Sequence, residues 1–188
     1  MVHFCSKIIH KGTLYDIYSI GGVYIMGQII VGIADMKVGS GSDELVTYAL
    51  GSCVGVCMYD ETVQAGGMLH AMLPKSGMHT ELANSYKYVD TGIIQLYRLL
   101  CRRGAGIGRI KAKIIGGARM FGFGISATSA MAADIGTLNI RETKKYLLKL
   151  GVPITAEMTG GSTGRTVYFI ACTGEVTIRT TENQRFVI

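Results

Sequence analysis

Residues 49–60 read ALGSCVGVCMYD. An apolar run reaches Leu50, Gly51-Ser52 interrupts it, and a valine-rich run resumes at Cys53. β-Branched residues favour strands and glycine punctuates them. The stretch therefore predicts two strands, 45–50 and 53–60, around a tight break that ends in a cysteine. Whether Cys53 is a small core residue or a nucleophile at the mouth of a strand decides what the chain does.

Outward from this stretch the pattern stays strand-rich. "GQIIVGIA" predicts a strand over 28–34, "KVGSGSDE" a loop, and "MLHAML" a strand over 68–73 stopped by Pro74. Val89, Ile93, Leu96, Tyr97 and Leu100 make one apolar stripe at helical spacing, so a helix is expected over 85–103. "IKAKII" predicts a strand over 110–115. Asn139 and Glu142 have capping-box spacing, so a second helix is expected to start near Asn139 and to stop at Gly151. Strands near 152–158, 166–171 and 175–180 close the chain. The fold class expected is α+β, with mixed sheets flanked by helices.

The chain has 188 residues, 48% of them hydrophobic, enough for a single domain with a real core. Residues 1–25 read as an N-terminal extension, and Met26 as the start of a single domain that runs to 188. Residues 17–34 carry no charge, but glycines 21, 22, 27 and 32 weaken a membrane span there, so no stable membrane insertion is expected. The net charge of +6 is scattered, without a basic run or aromatic interleaving, which argues against a nucleic-acid module. The five cysteines, at 5, 53, 57, 101 and 172, do not form a secreted disulfide framework. Free thiols in a reducing cytoplasm are expected.

Cysteine is among the most frequently buried residue types, which favours the core reading of Cys53 on composition alone. A zinc site with Cys57, His70 and His79 fails on geometry. Along a strand, positions 53 and 57 lie about 13 Å apart, whereas zinc-bound sulfurs sit within roughly 4 Å of each other. No metal and no cofactor are expected. Three features support a nucleophile. Gly51 permits close backbone approach, and N–H groups around Ser52-Cys53 are candidates for an oxyanion hole. His70 lies 17 residues on, across one turn, on a strand whose antiparallel return would bring its ring beside the thiol. Thr47 carries a hydroxyl able to orient that ring. A thiol is only a few per cent ionised at neutral pH, so it needs a histidine to take its proton and return it to the leaving group. Cys57 reads as core, Cys101, on the helix, and Cys172, in a strand, read as packing residues, and His79 as solvated.

In order along the chain, T-x-x-LGSCVGVCMYD, GGMLHAMLP, KYVD, KIIGGARMF and AEMTGGSTGR resemble the CheD family of chemoreceptor glutamine deamidases. The resemblance runs from about Gln28 to about Arg179. It implies a β-sandwich flanked by helices, with Cys53 as the catalytic cysteine, His70 as its histidine and Thr47 completing the set. It further implies hydrolysis of glutamine side-chain amides in the cytoplasmic helices of chemoreceptors, leaving glutamate. CheC, a phosphatase of the response regulator CheY, is the second partner it implies; a monomer that forms heteromers is the default expectation. A non-catalytic binding role toward CheC and receptors, or receptor methyl-ester hydrolysis by the same thiol, are the alternatives. The sequence departs from the family pattern at Leu138, Met158 and Ser162. The pairs Gly116-Gly117 and Gly160-Gly161 fall in family motifs and are expected on the active-site face.

Overall fold

A computed structural model describes residues 3–10, 13–20, 23–26, 28–77, 82–119 and 135–188, with backbone alone in 3–26 and 82–84. Three strands, β1 (His3–His10), β2 (Thr13–Ile20) and β3 (Val23–Met26), form an antiparallel meander over the expected extension. The body follows as β4 (Ile29–Ile30), β5 (Asp35–Ser40), β6 (Glu44–Leu50), β7 (Val54–Asp60) and β8 (Ala65–Ala71). After a 3-10 turn at Leu82–Lys87 come α1 (Val89–Arg102), β9 (Lys111–Gly116) and α2 (Ile135–Lys149). The chain ends with β10 (Ile154–Thr159), β11 (Arg165–Ile170), β12 (Val176–Thr180) and β13 (Arg185–Val187).

The body has three layers. One sheet has the order β10-β9-β7-β8-β5, with the β10–β9 pair parallel. A second has the order β13-β12-β11-β6-β4. Both helices cover the outer face of the first sheet. Their buried residues, Ile93, Leu96, Leu100 and Leu147 among them, pack on Val54, Val56, Met58, Leu69 and Ile114. The alternate residues Cys57, Tyr59, Met68 and Ile115 face the second sheet and meet Leu45, Leu50, Val167 and Phe169. β7 and β8 are buried along their whole length because apolar layers cover both faces. That explains their unbroken apolar runs, which alternation alone would not produce. The α+β sandwich flanked by helices is as expected.

Four boundaries differ from expectation. The strand over 28–34 shrinks to Ile29–Ile30 at a sheet edge. The "loop" over 37–44 holds most of β5, because Asp35 through Ser40 pair with His70 through Ala65. Its glycine sits against neighbours that leave little room for a side chain, so Gly39 reflects packing rather than a turn. Cys172 lies in a turn after β11, not in a strand. Asn139 is not a helix cap: α2 begins at Ile135, and Asn139 is a turn inside it, fully buried. Among the described residues no helix is long and apolar enough to cross a membrane.

Candidate active site

β7 pairs with β8 so that Gly55 faces His70 and Val54 faces Ala71. Cys53, two residues before Gly55, therefore lies on the same face as His70, one step along the diagonal. Such diagonal neighbours have Cβ atoms about 7 Å apart, within reach of an imidazole ring. Cys53 is part-exposed and packs against the layer between the sheets.

Thr47 reaches the same space from the opposite sheet. β6 has a bulge here: Arg165 pairs with Leu50 but Val167 pairs with Thr47. The extra residue resets the alternation, so Thr47 and Leu50 both point inward while Tyr48 and Ala49 are exposed. Ala49 takes a left-handed conformation at φ 56° to accommodate it.

Thr47 Oγ1 lies 2.8 Å from the Val31 carbonyl and 2.7 Å from His70 Nδ1. A carbonyl can only accept, so the single hydroxyl hydrogen goes to Val31. Thr47 Oγ1 must then accept from His70 Nδ1–H. In the neutral ring this leaves the lone pair on Nε2, which is buried with no protein partner. His70 is wholly shielded from solvent, and this burial lowers its pKa to about 4 against a weaker upward pull from Asp35. Burial raises the Cys53 thiol pKa, partly offset by its own backbone N–H. At neutral pH the resting pair is a neutral thiol and a neutral imidazole, with the basic nitrogen free.

The cysteine loop is held on two sides. Gly117 N–H donates to the Cys53 carbonyl at 2.7 Å and Ala118 N–H to that of Gly51 at 2.8 Å. Behind these, Gly160 N–H donates to Gly116 O, Arg119 N–H to Gly161 O, and Arg165 Nη2 to Gly160 O at 2.7 Å. Gly116, at φ 101°, lies so close that a Cβ there would collide with the Cys53 carbonyl. On the helix side, Asn139 Nδ2 donates to the carbonyls of Ser52 and Met72, both at 2.9 Å. Gly116-Gly117 thus stands against the Cys53 loop, and Gly160-Gly161 stands behind it, bonded to Gly116 and Arg119. Asn139 and the buried Arg165 are the residues that sequence reasoning missed. Of the three departures, Leu138 sits on α2 beside Asn139, Met158 packs into the inter-sheet layer, and Ser162 is exposed on the β10–β11 loop. None replaces Thr47, Cys53 or His70. His79 lies outside the described residues.

Comparison with known proteins agrees in direction. Residues 72–180 match the family model described as CheD chemotactic sensory transduction. "Probable chemoreceptor glutamine deamidase CheD" of Pyrococcus horikoshii is 42% identical over 154 residues, which cover 82% of this chain and 93% of that protein. The protein of the same name from Clostridium tetani is 43% identical over 150 residues, covering 80% and 89%. The Pyrococcus match is long enough that it has to span residues 35–154, and with them Thr47, Cys53 and His70. Among solved structures, Neisseria meningitidis protein NMB0706 overlays with a TM-score of 0.41 at 10% identity, over 71% of this chain and 64% of that one, a likeness too slight to bear on fold or function. A family match over more than half of the chain, joined to relatives above 40% identity along four fifths of it, makes this chain a member of the CheD family.

Proposed function

We propose that the protein is a chemoreceptor glutamine deamidase in which Cys53 is the nucleophile, His70 the general base and acid, and Thr47 the group that sets the histidine tautomer. The observation that carries this reading is the Val31–Thr47–His70 chain. It leaves Nε2 basic, unpartnered and on the face that Cys53 shares.

The chemistry follows from that tautomer. His70 Nε2 takes the Cys53 proton as sulfur attacks the amide carbon of a glutamine side chain. The carbonyl oxygen becomes an oxyanion, and Thr47 supports the imidazolium at Nδ1–H. Collapse of the tetrahedral adduct expels the amine, which takes the proton from Nε2–H and leaves as ammonia. A thioester remains on Cys53. Water attacks it as Nε2 accepts a proton, and that proton returns to the departing sulfur. The product is glutamate, and the thiol is restored. Because the thiol is not ionised at rest, proton transfer is coupled to attack, which limits adventitious oxidation of a standing thiolate.

The substrates are receptor helices on the cytoplasmic side, so the protein acts in the cytoplasm, as one catalytic domain over residues 26–188. CheC is its second partner, competing with receptor for the same mouth. The test is mass spectrometry of a cognate receptor cytoplasmic fragment incubated with wild type or with Cys53→Ala. Conversion of glutamine to glutamate only with wild type is expected. Conversion by both refutes the nucleophile. Conversion by neither, with retained binding of CheC or receptor, replaces catalysis by an adaptor role.

A further inference from the structure

The Ser52–Cys53 peptide is trans, as are all peptide bonds described here. In a trans peptide the C=O and the following N–H point in opposite directions. The Ser52 carbonyl is turned toward α2, where Asn139 Nδ2 holds it at 2.9 Å. The Cys53 N–H therefore points away from Asn139, and the Cys53 side chain packs against the layer between the sheets. No backbone carbonyl among the described residues accepts this N–H.

Asn139 is unambiguous in orientation. Ser52 O and Met72 O are both acceptors, so the NH2 end of the amide has to face them, and one amide group uses both of its hydrogens. Met72 is two residues beyond His70 on the same chain segment. One side chain thus ties the loop that carries the thiol to the strand that carries the base.

The geometry points to Asn139 as the positioning residue of the oxyanion hole: by holding the Ser52 carbonyl it aims the Cys53 N–H at the oxygen that becomes negative when sulfur attacks the substrate amide. This rests on Cys53 as the nucleophile. Asn139 bonds the Ser52 and Met72 carbonyls, and its proposed action is through the peptide plane. The unpaired Ser52 carbonyl left by truncation would be free to rotate, and the Cys53 N–H would rotate with it.

The test separates this role from mere support. Asn139→Ala is compared with wild type for receptor-fragment deamidation and for alkylation of Cys53 by iodoacetamide. Alkylation attacks a saturated carbon and develops no oxyanion, so it reports thiol activation alone. Expected is a fall in kcat on the order of 100-fold, as for loss of one oxyanion donor, with KM and the alkylation rate within about 2-fold of wild type. Thr143→Val, one turn further along the same buried face, serves as a control and leaves both unchanged. Equal losses in deamidation and alkylation would show general collapse of the site and overturn the proposal, as would an unchanged kcat. Should Asn139→Ala not fold, Asn139→Asp, the same size without the two donors, takes its place with the same expected split at neutral pH. Activity persisting in Cys53→Ala would sink the underlying reading instead, which the Asn139 variants alone do not address.

Discussion

Cys53 and Cys57 stand four residues apart on one face of one segment, yet they occupy opposite chemical worlds. Cys57 is wholly buried within the inter-sheet core. Burial drives its pKa far above the ordinary thiol range, against a smaller opposing pull from Lys113. At that end Lys113 is itself sealed, its ammonium bonded to the Ile188 carbonyl at 2.7 Å and placed over the Tyr59 ring. Cys53 sits where β7 begins, part-exposed, with a histidine on the neighbouring strand. The residue type is the same, and the difference is position along the strand. The sandwich seals one end of β7 and opens the other.

The largest effect expected from this contrast is in reactivity. Iodoacetamide under native conditions should modify Cys53, while Cys57 stays protected until the fold opens, at least 100-fold more slowly, since its access is limited by global unfolding. Peptide mapping after timed quenching reads both sites at once. Comparable rates would mean that the sandwich breathes and that the sealed end is not sealed. Cys57→Ala is expected to keep full deamidation, whereas Cys53→Ala keeps none.

Next in size is a pH effect on stability from His70. Its folded pKa, about 4, is below the 6.5 of an ordinary histidine because burial opposes the charged ring. As pH falls, the unfolded chain binds this proton first. The stabilising contribution is therefore complete above pH 6.5, shrinks as pH falls toward 4, and is exhausted below that. Over this window the loss is about 3 kcal/mol. Denaturant melts of wild type and His70→Gln from pH 7 to 4 isolate it, because every other titrating group is common to both chains. Parallel curves would mean that His70 titrates in the fold as it does in the unfolded chain, so that the ring is solvated and the neutral tautomer set by Thr47 is not enforced.

The two ends of β7 were not equally legible in the sequence. The sealed end announces itself: valines, Met58 and Tyr59 form a run that only a doubly covered strand tolerates. At the open end, Thr47, Cys53 and His70 could be picked out as residue types, but their meeting depends on a bulge between Val167 and Arg165 pairings that leaves no mark in composition. Asn139 was misleading for a physical reason. Asparagine followed three residues later by glutamate is the spacing of a cap, yet here both are buried inside α2, and the asparagine serves another segment's carbonyls. Arg165 looked like one scattered cation. Its burial, with one bond to Gly160 and a pKa lowered by desolvation, appears only when the β10–β11 loop is laid beside Gly116.

The smallest effect concerns the bulge itself. Ala49 holds φ 56°, a conformation that costs a residue with a Cβ on the order of 1 kcal/mol and costs glycine nothing. Its methyl group is exposed, so little packing is lost with it. Ala49→Gly relieves the strain but adds freedom to the unfolded chain, which offsets part of the gain. A net stabilisation between zero and about 1 kcal/mol is expected by thermal or denaturant melting. Deamidation should be unchanged, because pairing of Thr47 with Val167 and of Leu50 with Arg165 fixes the phase of the bulge from both sides. If stability rises while activity falls, the strained alanine is part of what holds Thr47 against His70. The open end of β7 would then be rigid by virtue of its strain, where the sealed end is rigid by packing alone.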